Sequence, residues 1–127
     1  MPSIDFEATD LAARVEALSD AERDALPFGV VELDREGTIL RYSATEQRLS
    51  GYGNPTGKNF FAVSSSPNKN ELEARIMRAI EEHGPVDIEF GWVGGVGKLR
   101  RELRLRVMSA SRGGVWIFIE RDNVGTA

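Results

Sequence analysis

Residues 26–61 read LPFGVVELDREGTILRYSATEQRLSGYGNPTGKNFF, and this stretch carries the signals of a hairpin, a capped helix and a glycine-rich loop. The apolar run from Val30 to Leu33 leads into the turn DREG at 34–37, and a second apolar run from Ile39 to Tyr42 follows it. Two short apolar runs joined by a turn that contains glycine are typical of a β-hairpin. We therefore expect two paired strands here.

A helix start follows the hairpin. Ser43 and Glu46 have the S-x-x-E spacing of a capping box, in which each side chain bonds to the backbone N–H of the other residue. Gly51 follows as a residue that accepts the left-handed conformation at a helix end. The spacing predicts a short helix from Ser43 to Ser50.

The order of LPFG, ELDxxGxILxY, a glutamate at 46, SG and GKNFF resembles the photoactive yellow proteins, small blue-light sensors of the PAS superfamily. The resemblance runs from Leu26 to Arg121 and is strongest up to Phe61. In that family the residues matching Tyr42 and Glu46 hydrogen-bond the phenolate of a coumaryl chromophore. Ser50 stands where a supporting threonine is usual, and the residue matching Phe60 lines the ligand cavity. The resemblance implies that these four residues bind a cofactor.

The covalent anchor for that chromophore is missing. The family attaches coumaric acid as a thioester to a cysteine shortly after GKNFF, whereas residues 62–68 read AVSSSPN and the chain has no cysteine. A serine without an activating base is a far weaker nucleophile than a thiolate. We therefore expect no covalent p-coumaric acid, although the polar half of the pocket is retained.

Glu46 cannot both complete the capping box and face this pocket. The resemblance turns its carboxyl inward, against Tyr42 and Phe60 and without a cationic partner. Burial would then raise its pKa and keep it neutral, as a donor to a phenol-like or carbonyl ligand. We favour the inward position.

Composition limits the function classes. The chain has 127 residues, 41% of them hydrophobic, which suits one domain with a real core. Its net charge of −4 argues against nucleic acid and anionic membrane as partners. No apolar run approaches the ~18 residues of a membrane span, and the N-terminus lacks the pattern of a secretory signal. We expect a cytoplasmic protein without a cysteine-ligated or histidine-rich metal site.

The remaining sequence predicts an α+β fold with a five-stranded antiparallel sheet. Residues 1–25, with Leu11, Val15 and Leu18 at helical spacing, form an N-terminal helical cap. Residues 26–122 form the PAS domain, with its other helices on one face of the sheet, and 123–127 a C-terminal tail. A helix ends at His83, and three alternating strands follow.

The last strands carry apolar residues on both faces of the sheet and a row of arginines. Trp116 and Phe118 lie on the face opposite Ile117, so both faces are apolar, and we expect the cap or a second subunit to cover the outer one. We expect a row of arginines to lie on a solvent-exposed strand face, where it pairs with the opposite charges of Asp87 and Glu89 across the hairpin. The row consists of Arg100, Arg104 and Arg106.

Two functional interpretations remain open. The first is a sensory, signal-transducing PAS domain with a non-covalent small-molecule pocket between the sheet and residues 42–70, acting on a protein partner. The second is a ligand-free module for protein interaction or homodimerisation. A haem sensor is a third alternative, with His83 as the ligand, although a helix-terminal histidine more often interacts with the helix dipole. An enzyme is not expected, because no nucleophile-base pair or metal cluster is recognisable.

Overall fold

The computed structural model describes residues 4–63, 69–81, 86–94 and 101–121. Within these ranges the chain forms five helices and five strands. The helices are α1 (Leu11–Glu16), α2 (Asp20–Asp24), α3 (Ala44–Ser50), α4 (Phe60–Val63) and α5 (Lys69–Glu81). The strands are β1 (Gly29–Leu33), β2 (Ile39–Tyr42), β3 (Asp87–Gly94), β4 (Arg101–Ser109) and β5 (Val115–Arg121).

The hairpin predicted at the start of the sheet is confirmed. Asp34 accepts the N–H groups of Glu36 and Thr38 through its side chain, both at 2.9 Å, and its own N–H donates to the Thr38 carbonyl. Gly37 has a φ of +88°, which only glycine adopts without strain. The turn chemistry of DREG therefore sets the pairing of β1 with β2.

The five strands form one antiparallel sheet in the order β2-β1-β5-β4-β3. All four neighbouring pairs in this order are antiparallel. The predicted α+β fold with a five-stranded antiparallel sheet is confirmed. β1 and β5 are paired at the middle of the sheet, so residues on these two strands are far apart in sequence but close in space.

The sheet has apolar side chains on both faces. The inner face carries Val31, Leu105, Ile117 and Ile119 and packs against residues of α4 and α5. The outer face carries Val30, Phe118 and Trp116 and packs against residues of the N-terminal cap. Alternation along β5 therefore sends successive side chains to two separate cores, as the sequence pattern predicts.

The N-terminal cap covers the outer face, which confirms its predicted placement. Leu11 and Val15 of α1 are fully buried in the outer core. Phe6 packs edge-to-face on Phe28, with ring centroids 5.6 Å apart. Ser19 and Glu22 form a complete capping box at the start of α2. The division of the chain at residue 25 stays a prediction.

The arginines of β4 behave differently from one another. Arg104 pairs with Glu89 at 2.9 Å and Arg106 with Asp87 at 3.3 Å, so the predicted pairing of these arginines with the acidic residues across the hairpin is present. Arg106, however, is only 8% exposed, and the prediction that it lies on a solvated face is wrong. The reason is that it donates to the backbone carbonyls of Phe6 and Ala8, which lie over it in the cap.

Several predictions fall outside the described residues. These are the serines 64–66, the end of the helix at His83, Arg100 in the arginine row and the tail 123–127.

Candidate functional site

The connection between β2 and α3 positions the predicted binding residues. Ser43 follows β2, and its hydroxyl accepts the backbone N–H groups of Val30 at 3.1 Å and Glu46 at 3.2 Å. The Ser43 N–H donates to the Val30 carbonyl at 2.9 Å. Because the start of α3 is tied to β1 in this way, the first turn of the helix lies against the sheet. Glu46 is therefore buried, with 3% of its surface exposed.

The Glu46 carboxylate forms a buried ion pair with Arg121. Nη1 of the guanidinium donates to Oε1 at 2.7 Å, and Nη2 donates to Oε2 at 2.8 Å. The two side chains are 4% and 7% exposed. The predicted inward position of Glu46 is confirmed, but the prediction that it has no cationic partner is wrong. The capping box is half formed, because Val30 takes the Ser43 N–H and Arg121 takes the carboxylate.

Two opposing effects act on the pKa of Glu46. Burial raises the pKa, because the charged carboxylate loses its hydration, while the hydrogen bonds and positive charge of Arg121 lower it. The net direction is upward. A guanidinium that donates to both oxygens of a carboxylate has the geometry of an ionised, bidentate pair. Arg121 is thus the group that favours the charged form of this buried acid.

Gly29 provides the space for this carboxylate. A Cβ atom built on Gly29 would lie 2.0 Å from Glu46 Oε1 and 2.9 Å from its carboxyl carbon. Any side chain at this position would therefore displace the carboxylate from its place over β1. The glycine is required here by close approach and not by an unusual backbone angle.

Tyr42 and Ser50 form a second polar contact beside the ion pair. The Tyr42 hydroxyl and the Ser50 hydroxyl are 3.0 Å apart. Burial and the nearby charge of Glu46 raise the pKa of Tyr42, while Ser50 and Arg121 lower it less. The phenol is therefore neutral at physiological pH. The structure brings Tyr42, Glu46 and Ser50 into one region, with Glu46 bonded to Arg121 and Tyr42 bonded to Ser50.

Phe60 lies in the inner core. Its ring packs edge-to-face on Phe61, with centroids 5.3 Å apart, and is stacked on Trp92 at 6.2 Å. It is 6% exposed. At the start of α4 it is thus part of the inner core, and its role toward a ligand stays a prediction, as do the ligand-binding roles of Tyr42, Glu46 and Ser50.

Sequence reasoning missed Arg121 and Gly29. One signal for Arg121 was present, because it continues the odd-numbered series of Val115, Ile117 and Ile119 that faces the inner core. A charged residue at an inward position near a strand end needs a partner of opposite charge. No comparable signal marks Gly29, since the clash that it avoids involves a residue on another element.

In residues 4–63, 69–81, 86–94 and 101–121, no group of three or more His, Cys, Asp or Glu side chains could hold a metal ion. No helix in the same ranges has the length and apolar character needed to cross a membrane.

Comparison with known proteins decides the family. No protein-family model matches the chain. Over 125 residues, 95% of this chain and 99% of the relative, it is 30% identical to the photoactive yellow protein of Rhodothalassium salexigens. The chain belongs to the photoactive yellow protein family.

Solved structures agree with this membership. The photoactive yellow protein domain of the sensor histidine kinase Ppr from Rhodospirillum centenum matches with a TM-score of 0.70 and 27% identity, covering 87% of this chain and 99% of that one. The PAS domain of the Cronobacter turicensis RpfR quorum-sensing receptor, in complex with BDSF, has the same fold, with a TM-score of 0.55 and 18% identity over 72% of this chain and 88% of that one. The protein is a sensory PAS domain of the photoactive yellow protein type.

The bonds made by Glu46 and Tyr42 can be compared with those of the matching residues in the family. In photoactive yellow proteins the residues matching Tyr42 and Glu46 bond to the chromophore phenolate. In this chain both carboxylate oxygens of Glu46 are taken by Arg121, and the Tyr42 hydroxyl bonds to Ser50. With no cysteine in the sequence, this member lacks the residue to which the family attaches its chromophore.

Proposed function

We propose that this protein is a signal-transduction PAS domain that works without a covalent coumaric acid chromophore and acts through a protein partner. The observation that carries the proposal is the bidentate Glu46–Arg121 pair. A phenolate oxygen accepts hydrogen bonds, so it would need a protonated Glu46 carboxyl as donor, whereas both Glu46 oxygens here accept from Arg121. Because the pair is buried, separating it would leave two uncompensated charges in the core.

The proposal does not include catalysis. A PAS fold by itself supplies no chemistry, and a functional claim needs a site with groups in reactive positions. Apart from Arg121 Nε, the polar groups of the inner site are bonded to one another, as in an internal structural network. Such a network favours a regulatory module whose output is a contact with another protein or with a second copy of the chain.

A second candidate function is non-covalent binding of a small molecule at the inner site. The specific observation is that Arg121 Nε is buried and has no hydrogen-bond acceptor among the described residues. A buried donor without an acceptor is destabilising, and a ligand oxygen could satisfy it. PAS domains solved with small molecules, such as that of RpfR with BDSF, give this candidate a precedent in the fold.

A spectrum and an intact mass test whether the protein works without a covalent chromophore. We expect the purified protein to be colourless and to keep its unmodified mass after incubation with an activated ester of coumaric acid. The photoactive yellow protein of Rhodothalassium salexigens, treated in parallel, is the positive control for the reagent. A visible absorption band or a covalent mass shift in this chain would contradict the proposal.

Native mass spectrometry tests the second candidate on the same sample. A co-purifying small molecule that is retained by the wild type and lost from Arg121→Met would support a ligand at the inner site. Its absence from both proteins would leave the ligand-free module as the function.

A further inference from the structure

A polar cavity of about 530 Å³ lies between α2, β2 and the start of α3. Glu32 and Arg41 are directly paired across β1 and β2, and Glu32 opposes Trp116 of β5, so these side chains belong to the outer face. The cavity volume falls within the roughly 300–1,000 Å³ of small-molecule sites. Its wall consists of Asp20, Arg23, Asp24, Val30, Leu40, Arg41, Tyr42, Ser43, Gln47, Asn54 and Arg112.

Three arginines define the chemistry of this cavity. Arg41 Nε and Arg112 Nη2 donate to the Glu32 carboxylate at 3.1 and 2.6 Å. The Glu32 side chain is 2% exposed and is therefore a fixed internal anion. Arg23 donates to the carbonyls of Val15 and Leu18, which fixes its guanidinium at the cavity wall.

Of the two carboxylates among the described residues that line this wall, Asp20 is held only by arginine side chains. Its carboxylate accepts from both Arg23 and Arg41, so a carboxylate already lies between two guanidiniums. Its side chain is nevertheless 78% exposed and stands at the first position of a five-residue helix. Asp24 differs, because its carboxylate accepts the Ala44 N–H at 2.9 Å and caps α3.

We propose that this cavity binds a small anionic molecule whose carboxylate or phosphate group replaces Asp20 between Arg23 and Arg41. When Asp20 turns outward, Arg23 and Arg41 each lose one carboxylate partner, and the N–H groups that pointed at it become available to a ligand anion. Guanidinium groups recognise both carboxylate and phosphate through paired N–H donors. The rest of the molecule extends toward Arg112, Gln47 and Asn54. Glu46 and Arg121 do not line this cavity, although Tyr42 belongs to both sites, and the proposal does not rest on the function proposed above.

Titration calorimetry with citrate and with inorganic phosphate, at ionic strength held constant with chloride, tests the site. We expect saturable binding of one or both anions, and the comparison shows whether carboxylate or phosphate is preferred. Asp20→Ala removes the internal competitor and should tighten binding at least about threefold. Arg41→Met should weaken it about tenfold, because it removes one of the two guanidiniums at the proposed anion position.

Arg104→Met is the matched control, because Arg104 has the same 38% side-chain exposure as Arg41 and does not line the cavity. Its anion affinity should equal that of the wild type. Absence of saturable binding, or equal weakening in Arg41→Met and Arg104→Met, would overturn the proposal. If Arg41→Met does not fold, the titration of Asp20→Ala decides alone, since unchanged or weaker binding there contradicts a competitor role for Asp20.

Discussion

Replacing Arg121 with methionine should destabilise the protein strongly, because it leaves the Glu46 carboxyl buried without its cation. The two side chains are 7% and 4% exposed, so water cannot take over the role of the guanidinium. Removing one partner of such a buried pair typically lowers the free energy of unfolding by about 3–5 kcal/mol. That is a large part of the ~5–15 kcal/mol that stabilises an ordinary domain.

Urea unfolding followed by circular dichroism and tryptophan fluorescence measures this loss. Arg14→Met is the control, because the Arg14–Asp10 pair at the start of α1 is 54% and 55% exposed, and water and salt screen such a surface pair. The double variant Glu46→Gln/Arg121→Met should lose less than the sum of the two single variants, since it leaves no buried charge. A loss from Arg121→Met as small as that from Arg14→Met, with additive single variants, would refute the buried-pair argument.

The same pair predicts a pH dependence. Because the pKa of Glu46 is raised above its ordinary value of 4.5, the folded chain holds this proton more tightly than the unfolded chain. The resulting stabilisation is fully present below that ordinary value and is lost as the pH rises through the folded pKa. Arg121→Met removes the group that lowers the pKa, so its loss of stability should continue to a higher pH than in the wild type.

Urea midpoints measured from about pH 4 to about pH 8 test this direction. Infrared spectroscopy should also show a protonated carboxyl band in Arg121→Met at neutral pH that Glu46→Gln removes. A pH profile of Arg121→Met that is identical to that of Glu46→Gln/Arg121→Met would contradict it.

Two further variants probe the space around the site and the covering of the sheet. Gly29→Ala should be destabilising through its clash with the Glu46 carboxylate, and much less so in a Glu46→Ala background; equal losses in both backgrounds, measured by urea unfolding, would exclude the clash as the cause. Deleting residues 1–25 should expose the Trp116 and Phe118 face and promote self-association. Light scattering and tryptophan emission measure this, and a monomer with unchanged emission would show that the cap does not cover that face.

The local features of the fold could be predicted from the sequence. The hairpin turn at Asp34 to Gly37, the Ser19–Glu22 capping box and the left-handed end of α3 at Gly51 depend on residues within a few positions of one another. Alternation along β5 indicated two apolar faces before any partner was known. Such features follow from backbone geometry and from the period of side-chain directions, both of which are local properties of the chain.

The contacts between residues far apart in the sequence could not be predicted in this way. Glu46 and Arg121 are separated by 75 positions, and they meet only because β5 pairs with β1 while α3 folds back over that pair. Arg106 has the pattern of an exposed strand residue, yet the carbonyls of Phe6 and Ala8 cover it.

The strands, the turns and the family resemblance, including the missing chromophore-linking cysteine, follow from the amino-acid sequence. The pairing of Arg121 with the Glu46 carboxylate and the meeting of Asp20, Arg23, Arg41 and Arg112 at one cavity follow from the packing of the elements. The physical reason is that periodicity determines which face of an element a side chain occupies, whereas its partner depends on which other element the fold packs against that face.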